Sequence, residues 1–543
     1  MKYVLFAFVL FLQHFVSAQN KTIPGKLAAP YPTIENLAVE WYISGDENLN
    51  GVVTVQYRKK GETSWQEAMP LRRVPAGENL NTTTLPKNNS LYTRFNWLNK
   101  HSGSVFNLQP ATRYEIKLSL KDPDGGSAVK MIEASTRPIP AINANAEIVE
   151  IKPGIYDTLR VKNGNRQHPV VYRCKTGKAI FKYIDLTNKK WVYLDGLEVR
   201  NTEGGEEAVA IGMNGAENCS VTYCTINAVY GIVADVPGVT NCYFSDNTIT
   251  GVCEWTAESF GADGKNVGEG IQVTGSGNVI CYNKVSNFRD CISTMEDDRA
   301  SKQICVDIYN NDIYQGLDDG IEADFCFSNC RIVRNRLTDC YVGLSSQPSL
   351  GGPTYFIRNA MYNVIHSAFK LKRFSKGDVV LHNTVVKVGV GLGGNSQLDY
   401  AFFRNNLAFG GTSGGVLWGG YGSGNSYAAD IIEPGTHCSF DYDAVGSFDT
   451  AYVGLVGALP FLQVEKHGIG ALSFQETFAG LKLPQPMLLS EAAPDLRPLA
   501  HSRTIDAAQV IPNINDHFKG KAPDCGAYEA GEEFPHYGPR ARN

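Results

Sequence analysis

Apolar and β-branched residues in the second half of this chain fall in short runs, each broken by Gly, Asn or Asp, with no stretch of helical periodicity. Such runs predict strands joined by turns. From residue 247 to residue 406 one phrase recurs, an asparagine beside an apolar or β-branched residue: DNTIT, YNKVS, NNDIY, RNRLT, RNAMY, LHNTVV and RNNLA. Asn247, Asn283, Asn311, Asn335, Asn359, Asn383 and Asn406 share one slot, at gaps of 36, 28, 24, 24, 24 and 23 residues. A repeat of that length built from strands is one coil of a solenoid, and the fold it predicts is a parallel β-helix.

Most coils carry a second landmark, a small residue followed by an apolar one: Gly231-Ile232, Gly270-Ile271, Cys291-Ile292, Gly320-Ile321, Gly343-Leu344 and Ala368-Phe369. If these pairs stack, the residues just before them form a column, Tyr230, Glu269, Asp290, Asp319, Val342 and Ser367. Rungs of a parallel sheet lie about 4.8 Å apart. A neighbouring outward column then holds Val233, Gln272, Ser293, Glu322, Ser345 and Lys370, and a third holds Asp235, Thr274, Met295, Asp324, Gln347 and Lys372.

Residues 22–137 have a different texture, with strand-like runs LAVEWYIS, GVVTVQYRKKG, SVFNLQP and RYEIKLSLKDPDG and an exit at TRPIPA. They predict a small β-sandwich. Leu108-Gln109-Pro110-Ala111-Thr112-Arg113-Tyr114 resembles the L-x-P-x-T-x-Y phrase of fibronectin type III domains, and Trp41 fits their buried early-strand tryptophan. At Ala146 the pattern changes. Ile151-Lys152-Pro153-Gly154-Ile155-Tyr156 resembles the first-coil phrase of pectate-lyase-like right-handed β-helices, which places the second unit at 146–530. The Gly/Ser-rich segment after residue 410 reads as long loops to Asp449, and the tail phrases around Asp495, Ile505 and Asp524 resemble those that pack across the last coils of such proteins.

Composition removes other classes. A net charge of -5 without a Lys/Arg-rich run gives no footprint for nucleic acid or an anionic membrane. Residues 1–18 read as a signal peptide, a Lys, an apolar run and Val16-Ser17-Ala18, so the protein is expected outside the cytoplasm, secreted, periplasmic or at the cell surface. No later run is long enough to span a bilayer. Thirteen cysteines sit mostly inside the repeats, without zinc spacing, and read as small core residues. The pectate-lyase-like resemblance implies an acidic polysaccharide as substrate, and the chain is expected to act as a monomer.

The columns carry the chemistry. Glu269, Asp290, Asp318, Asp319, Glu322 and Asp324 form an acidic cluster, followed on the same face, roughly 10 Å along the axis, by Lys370, Lys372 and Arg373. Carboxylates stacked at rung spacing repel unless a cation or a raised pKa relieves them. Asp297, Asp298 and Arg299 read as a loop able to reach the same groove, while His366 and His382 read as structural. Trp255, Phe260, Tyr341 and Tyr355 are candidate sugar platforms.

Asp318-Asp319-Gly320-Ile321-Glu322 resembles the D-D-G-x-D calcium phrase of family-nine pectate lyases, with Glu for the last Asp, and Phe369-Lys370-Leu371 resembles their F-K-L phrase. The resemblance implies Asp290, Asp318, Asp319 and Glu322 as Ca²⁺ ligands, Lys370 as the base of a β-elimination and Arg373 as a catalytic partner on the substrate carboxylate. Glu269, Asp324 and Lys372 are candidate substrate contacts. The lysine lies about one coil further on than in that family, and a Lys follows F-K-L where a glycine is usual. An inverting β-helix glycosidase, similar to polygalacturonases or β-helix α-galactosidases, would use Asp290, Asp318 and Asp319 instead. A glycan-binding rod without catalysis is the third class.

Overall fold

Every slot asparagine follows a residue with left-handed backbone. Asp246, Tyr282, Asn310, Arg334, Arg358, His382 and Asn405 have φ between 53° and 63°. In a computed structural model the described residues are 19–78, 96–205, 208–235, 237–294, 303–347, 349, 351–394, 397–411, 416–418, 421–422, 427–448 and 453–542. The assigned leader 1–18, Met295, Asp297, Asp298 and Arg299 lie outside them. Each left-handed residue costs about 1 kcal/mol in a non-glycine. The asparagine after it offsets that cost. Its Nδ2 donates to Oδ1 of the next slot asparagine at 2.9–3.0 Å, from Asn247 through to Asn406. Each Oδ1 from Asn283 to Asn406 also accepts the backbone N–H of the asparagine one coil earlier.

This buried ladder marks the bend between two faces of a parallel β-helix. One face is a 12-stranded parallel sheet from Glu147–Glu150 to Ser439–Asp441. The other faces are parallel columns as well, one running through Lys284–Phe288, Asp312–Gly316 and Arg336–Thr338, the other through Glu269–Val273, Asp290–Ser293, Asp319–Glu322, Val342–Ser346 and Ser367–Leu371. The core between them takes a stacked row from the last column, Ile271, Ile292, Ile321, Leu344 and Phe369. All thirteen cysteines are free thiols, and all except Cys438 are buried.

The repeat does not stop near residue 410. Ser439–Asp441 and Ala444–Ser447 build a further coil inside the stretch expected to be loops. Its slot residue is Asp443, whose Oδ1 accepts from Asn406 Nδ2 at 2.8 Å. A carboxylate in the asparagine slot hid this coil from the pattern.

The sandwich strands run Ile23–Ala28, Leu37–Ser44, Lys100–Val105, Gln66–Val74, Val52–Lys59, Arg113–Lys121 and Ala128–Ser135, each antiparallel to the next, with the pairing of Lys100–Val105 and Gln66–Val74 joining its two halves. Its core holds Trp41, Val53, Ile116 and Leu118. The Tyr114 hydroxyl accepts the Gln109 N–H at 2.9 Å. The sandwich docks on the 12-stranded sheet. There the fully buried Arg331 ion-pairs with Asp307 and donates to Ser104 Oγ at 3.0 Å, while Asn36 Nδ2 donates to Asp307 Oδ2 at 2.8 Å. Tyr355 belongs to this junction: its hydroxyl accepts from Ser104 N at 3.1 Å and its ring meets Phe106 edge-on at 5.0 Å. It is therefore no sugar platform.

The tail does pack on late coils, through Cys525, Ala527 and Tyr528. It then runs back along the solenoid, beyond the boundary placed at residue 530. His536 accepts from Asn310 Nδ2 at 2.9 Å, Arg540 pairs with Asp246 at 2.7 Å and Arg542 with Asp195 at 2.6 Å. No helix among the described residues is long and apolar enough to cross a membrane.

Candidate functional site

The bend into the third face needs small residues because neighbouring rungs crowd it. A Cβ on Gly270 would lie 2.4 Å from the Cys291 carbonyl oxygen, and one on Gly343 would lie 2.7 Å from that of Ala368. The pairing then follows the expected columns. Glu269 stands beside Asp290, and Gln272, Ser293, Glu322, Ser345 and Lys370 are successive partners.

The acidic and basic groups do not form separate patches. Ser345, one rung below Glu322, is small enough for Lys370 to reach back over it. Lys370 Nζ pairs with Asp319 Oδ2 and lies 3.6 Å from Glu322 Oε1. Asp290 Oδ1 accepts the Asp319 N–H at 2.7 Å. One oxygen from each of Asp290, Asp319 and Glu322 lies within 4.8 Å of the others, and Asp319 Oδ1 is buried without a hydrogen-bond partner. Hard oxygen donors at that spacing, with one orphaned, would fit a Ca²⁺ ion.

The other candidates take different places. Asp318 is not in the three-carboxylate group; its Oδ2 lies 3.8 Å from Arg289, which is also 3.6 Å from Asp290. Asp324 lies past the end of its strand, is 0% exposed and accepts from Ser345 Oγ at 2.5 Å. Burial leaves it no surface for a substrate, so its effect on the groove passes through Ser345 and Lys370. Lys372 and Arg373 also lie beyond their strand, which ends at Leu371, and the turn carries left-handed backbone at Arg373. Glu269 stands half-buried one rung before Asp290. Arg289 was missed at the level of sequence; its only signal is its place directly before Asp290.

Charge in this space is strained. Burial pushes Glu269 up to about 7 and Asp318 up to about 6, the latter helped by Asp319. Asp290 is raised well above the carboxylate range by burial and by Glu269, Asp318 and Asp319. Burial opposes a charge on Lys370, but Asp319, Asp324 and Glu322 outweigh it and hold the amine well above its usual value. Without a bound cation, then, Lys370 is an ammonium ion neutralising the acids rather than a free base. Lys372 is lowered by burial and by Lys370.

An aromatic wall flanks the acids. Trp255 meets Phe260 edge-on at 4.6 Å, Phe260 stacks on Tyr341 at 5.6 Å, and Tyr341 stacks on His366 at 5.4 Å. Trp255 and Phe260 come from the insertion that lengthens the Asn247–Asn283 gap, which is tied to the site coil by the Gly261 N–H to Leu317 carbonyl bond at 2.9 Å. Phe260 and Tyr341 are buried, so Trp255, half-buried, is the ring of the three with free surface. His382 is structural: it is buried, with Nε2 facing Asn405 and Asn515 amides at 3.0 and 2.7 Å, and burial lowers its pKa well below the usual value.

No protein family matches the chain, and no curated protein does. Among solved structures it aligns with a Yersinia enterocolitica family 28 exopolygalacturonase at 10% identity, over 81% of this chain and all of that one, with a TM-score of 0.22. A likeness at that score carries no argument about either fold or activity.

Proposed function

We propose that the protein is an exported polysaccharide lyase that cleaves a uronate-containing glycan by β-elimination in the groove of Asp290, Asp319, Glu322 and Lys370. The observation that carries this reading is the meeting of three carboxylate oxygens within 4.8 Å with a lysine amine lying against two of those carboxylates. Asp290, Asp319 and Glu322 would hold Ca²⁺, which when bound neutralises the uronate carboxylate and so acidifies the C5 proton beside it. With Asp319 and Glu322 neutralised by that cation, Lys370 would lose the charges that hold its own proton, release it to solvent and be free to take the C5 proton. Arg289 and Arg373 bind substrate carboxylates at the rim, Glu269 contacts the sugar ring, and Trp255 offers it an apolar surface. The leader-like residues 1–18 support export, and the strand order and Tyr114 corner of the sandwich support a type III-like spacer.

Hydrolysis is favoured by a different observation, the carboxyls of Glu269 and Asp318 raised to about 7 and about 6, which would let one act as acid while Asp319, paired with Lys370, activates water. A panel of uronate polymers assayed with Ca²⁺ or with EDTA separates the two. Ultraviolet-absorbing unsaturated products that vanish in EDTA and return with Ca²⁺ support elimination. New reducing ends without that absorbance, formed equally in EDTA, would overturn it in favour of hydrolysis. Binding without any product would leave a glycan-binding rod.

A further inference from the structure

Where the sandwich strand Gln66–Val74 meets the turn around Tyr400, a cleft of about 420 Å³ opens, lined by Arg72, Arg73, Tyr400, Phe402, His437 and Gln509 among others. Arg72 is the informative residue. Its Nε is buried without a hydrogen-bond partner, and its electrostatic neighbours are Tyr355, Arg404 and Cys438, with no carboxylate among them. Its guanidinium lies 4.6 Å from the centre of the Phe402 ring, and that of Arg404 lies 4.3 Å from the same centre. Arg404 donates to the Phe403 and Ser439 carbonyls, Ser439 Oγ and the Gln509 side chain, again without a carboxylate. Arg73 and Lys376 are paired, with Asp46 at 2.5 Å and Asp399 at 3.5 Å. Arg404 also lies in the field of Asp441, Asp443 and Glu465, so Arg72 is the cation of this group with no carboxylate beside it.

A buried guanidinium N–H lacking an acceptor, as at Arg72 Nε, costs free energy that an anionic ligand would recover. Arginine matches a carboxylate with two parallel N–H donors. Opposite it, Tyr400 and His437 stack at 5.3 Å with planes 9° apart, and His437 is exposed. Such a flat ring face suits the C–H face of a pyranose. The cleft continues into a smaller recess of about 90 Å³ lined by Trp97, Gly351, Lys376 and Gly377. Those coil residues belong to turns that follow the strands of the acidic groove.

We propose that this junction cleft is a second carbohydrate site, which binds a uronate unit of the glycan by its carboxylate through Arg72 and by its ring on Tyr400 and His437. The proposal rests on the reading of the substrate as an acidic glycan and adds to it a role for the sandwich, which supplies the key arginine. Neither site shares a residue with the other, so they can be scored separately.

The test titrates sodium glucuronate and sodium galacturonate, with glucose as the neutral control, into protein carrying ¹³C-labelled histidine. Signals are assigned with His437→Asn. One or both uronates should shift the His437 resonance in the wild type and in Lys370→Ala, and glucose should not. Arg72→Gln should weaken the response at least tenfold, and Tyr400→Ala, which leaves the guanidinium in place, should weaken it too. An unmoved His437 with both uronates, or equal shifts in Arg72→Gln of unchanged melting temperature, overturns the proposal. Polymer cleavage without the His437 shift would sink the cleft alone. The shift without cleavage of any polymer would sink the enzymatic reading alone.

Discussion

At the scale of single residues the decisive contact is Lys370 on Asp319 and Glu322, bridging past a serine. Replacing Lys370 by Ala should lower kcat by about 10²–10⁴ if the amine moves the proton in the transition state. Binding of the uncleaved polymer, read by affinity electrophoresis, should persist. An unchanged kcat would remove Lys370 from the reaction. This contact was legible because the small-apolar landmark sets the register, and the register set Lys370 two rungs from Glu322 on one face. What the sequence could not show is side-chain reach: the two charged patches were expected to stand apart, and the lysine closes the gap. Nor could it show that Asp324 turns inward, because that depends on where the strand ends, which periodicity places only within a few residues.

Elements of this fold are held by the ladder as much as by the core. Asn335 accepts from Asn311 N and Nδ2 and donates to the Ile308 carbonyl and Asn359 Oδ1. Asn335→Ala leaves at least three of those buried partners short of a bond, a cost of about 3 kcal/mol or more at about 1 kcal/mol each. Chemical denaturation would measure it, and a loss below 1 kcal/mol would mean water replaces the amide. The ladder ends differently, in a pair of acids. Burial raises Asp443 to about 6, and burial and Asp443 raise Glu465 well above its usual value, with Arg404 and Asp441 close by. Acids raised in the folded state bind protons that the unfolded chain has released. Their stabilisation is therefore full below the ordinary carboxylate range and is lost as pH rises through about 6. Melting temperature should fall over that window, and Asp443→Asn, which can continue the amide ladder, should flatten the fall. The asparagine beat was readable from the chain; this terminus was not, since one substitution in the slot ended the pattern before the coils ended.

For the whole molecule the junction between sandwich and solenoid sets a buried ion pair beside an apolar seam in which Ile34, Met69 and Phe106 meet Tyr243, Val279 and Tyr355. Arg331 is 0% exposed, and its replacement by Ala would strand Asp307 as an uncompensated buried carboxylate, at a cost of about 3–5 kcal/mol. Differential scanning calorimetry should then show the sandwich melting apart from the solenoid, whereas one undivided transition at the wild-type temperature would place the coupling elsewhere. The two-unit division was legible in the change of texture at Ala146, but the docking was not, because its parts come from positions hundreds of residues apart. The returning tail has a consequence of its own for the order of events during synthesis. Arg540 and Arg542 pair with residues 294 and 347 positions earlier. The coils of Asp195 and Asp246 therefore emerge long before the cations that cover them exist, and any coil that stacks during synthesis does so with those acids uncovered.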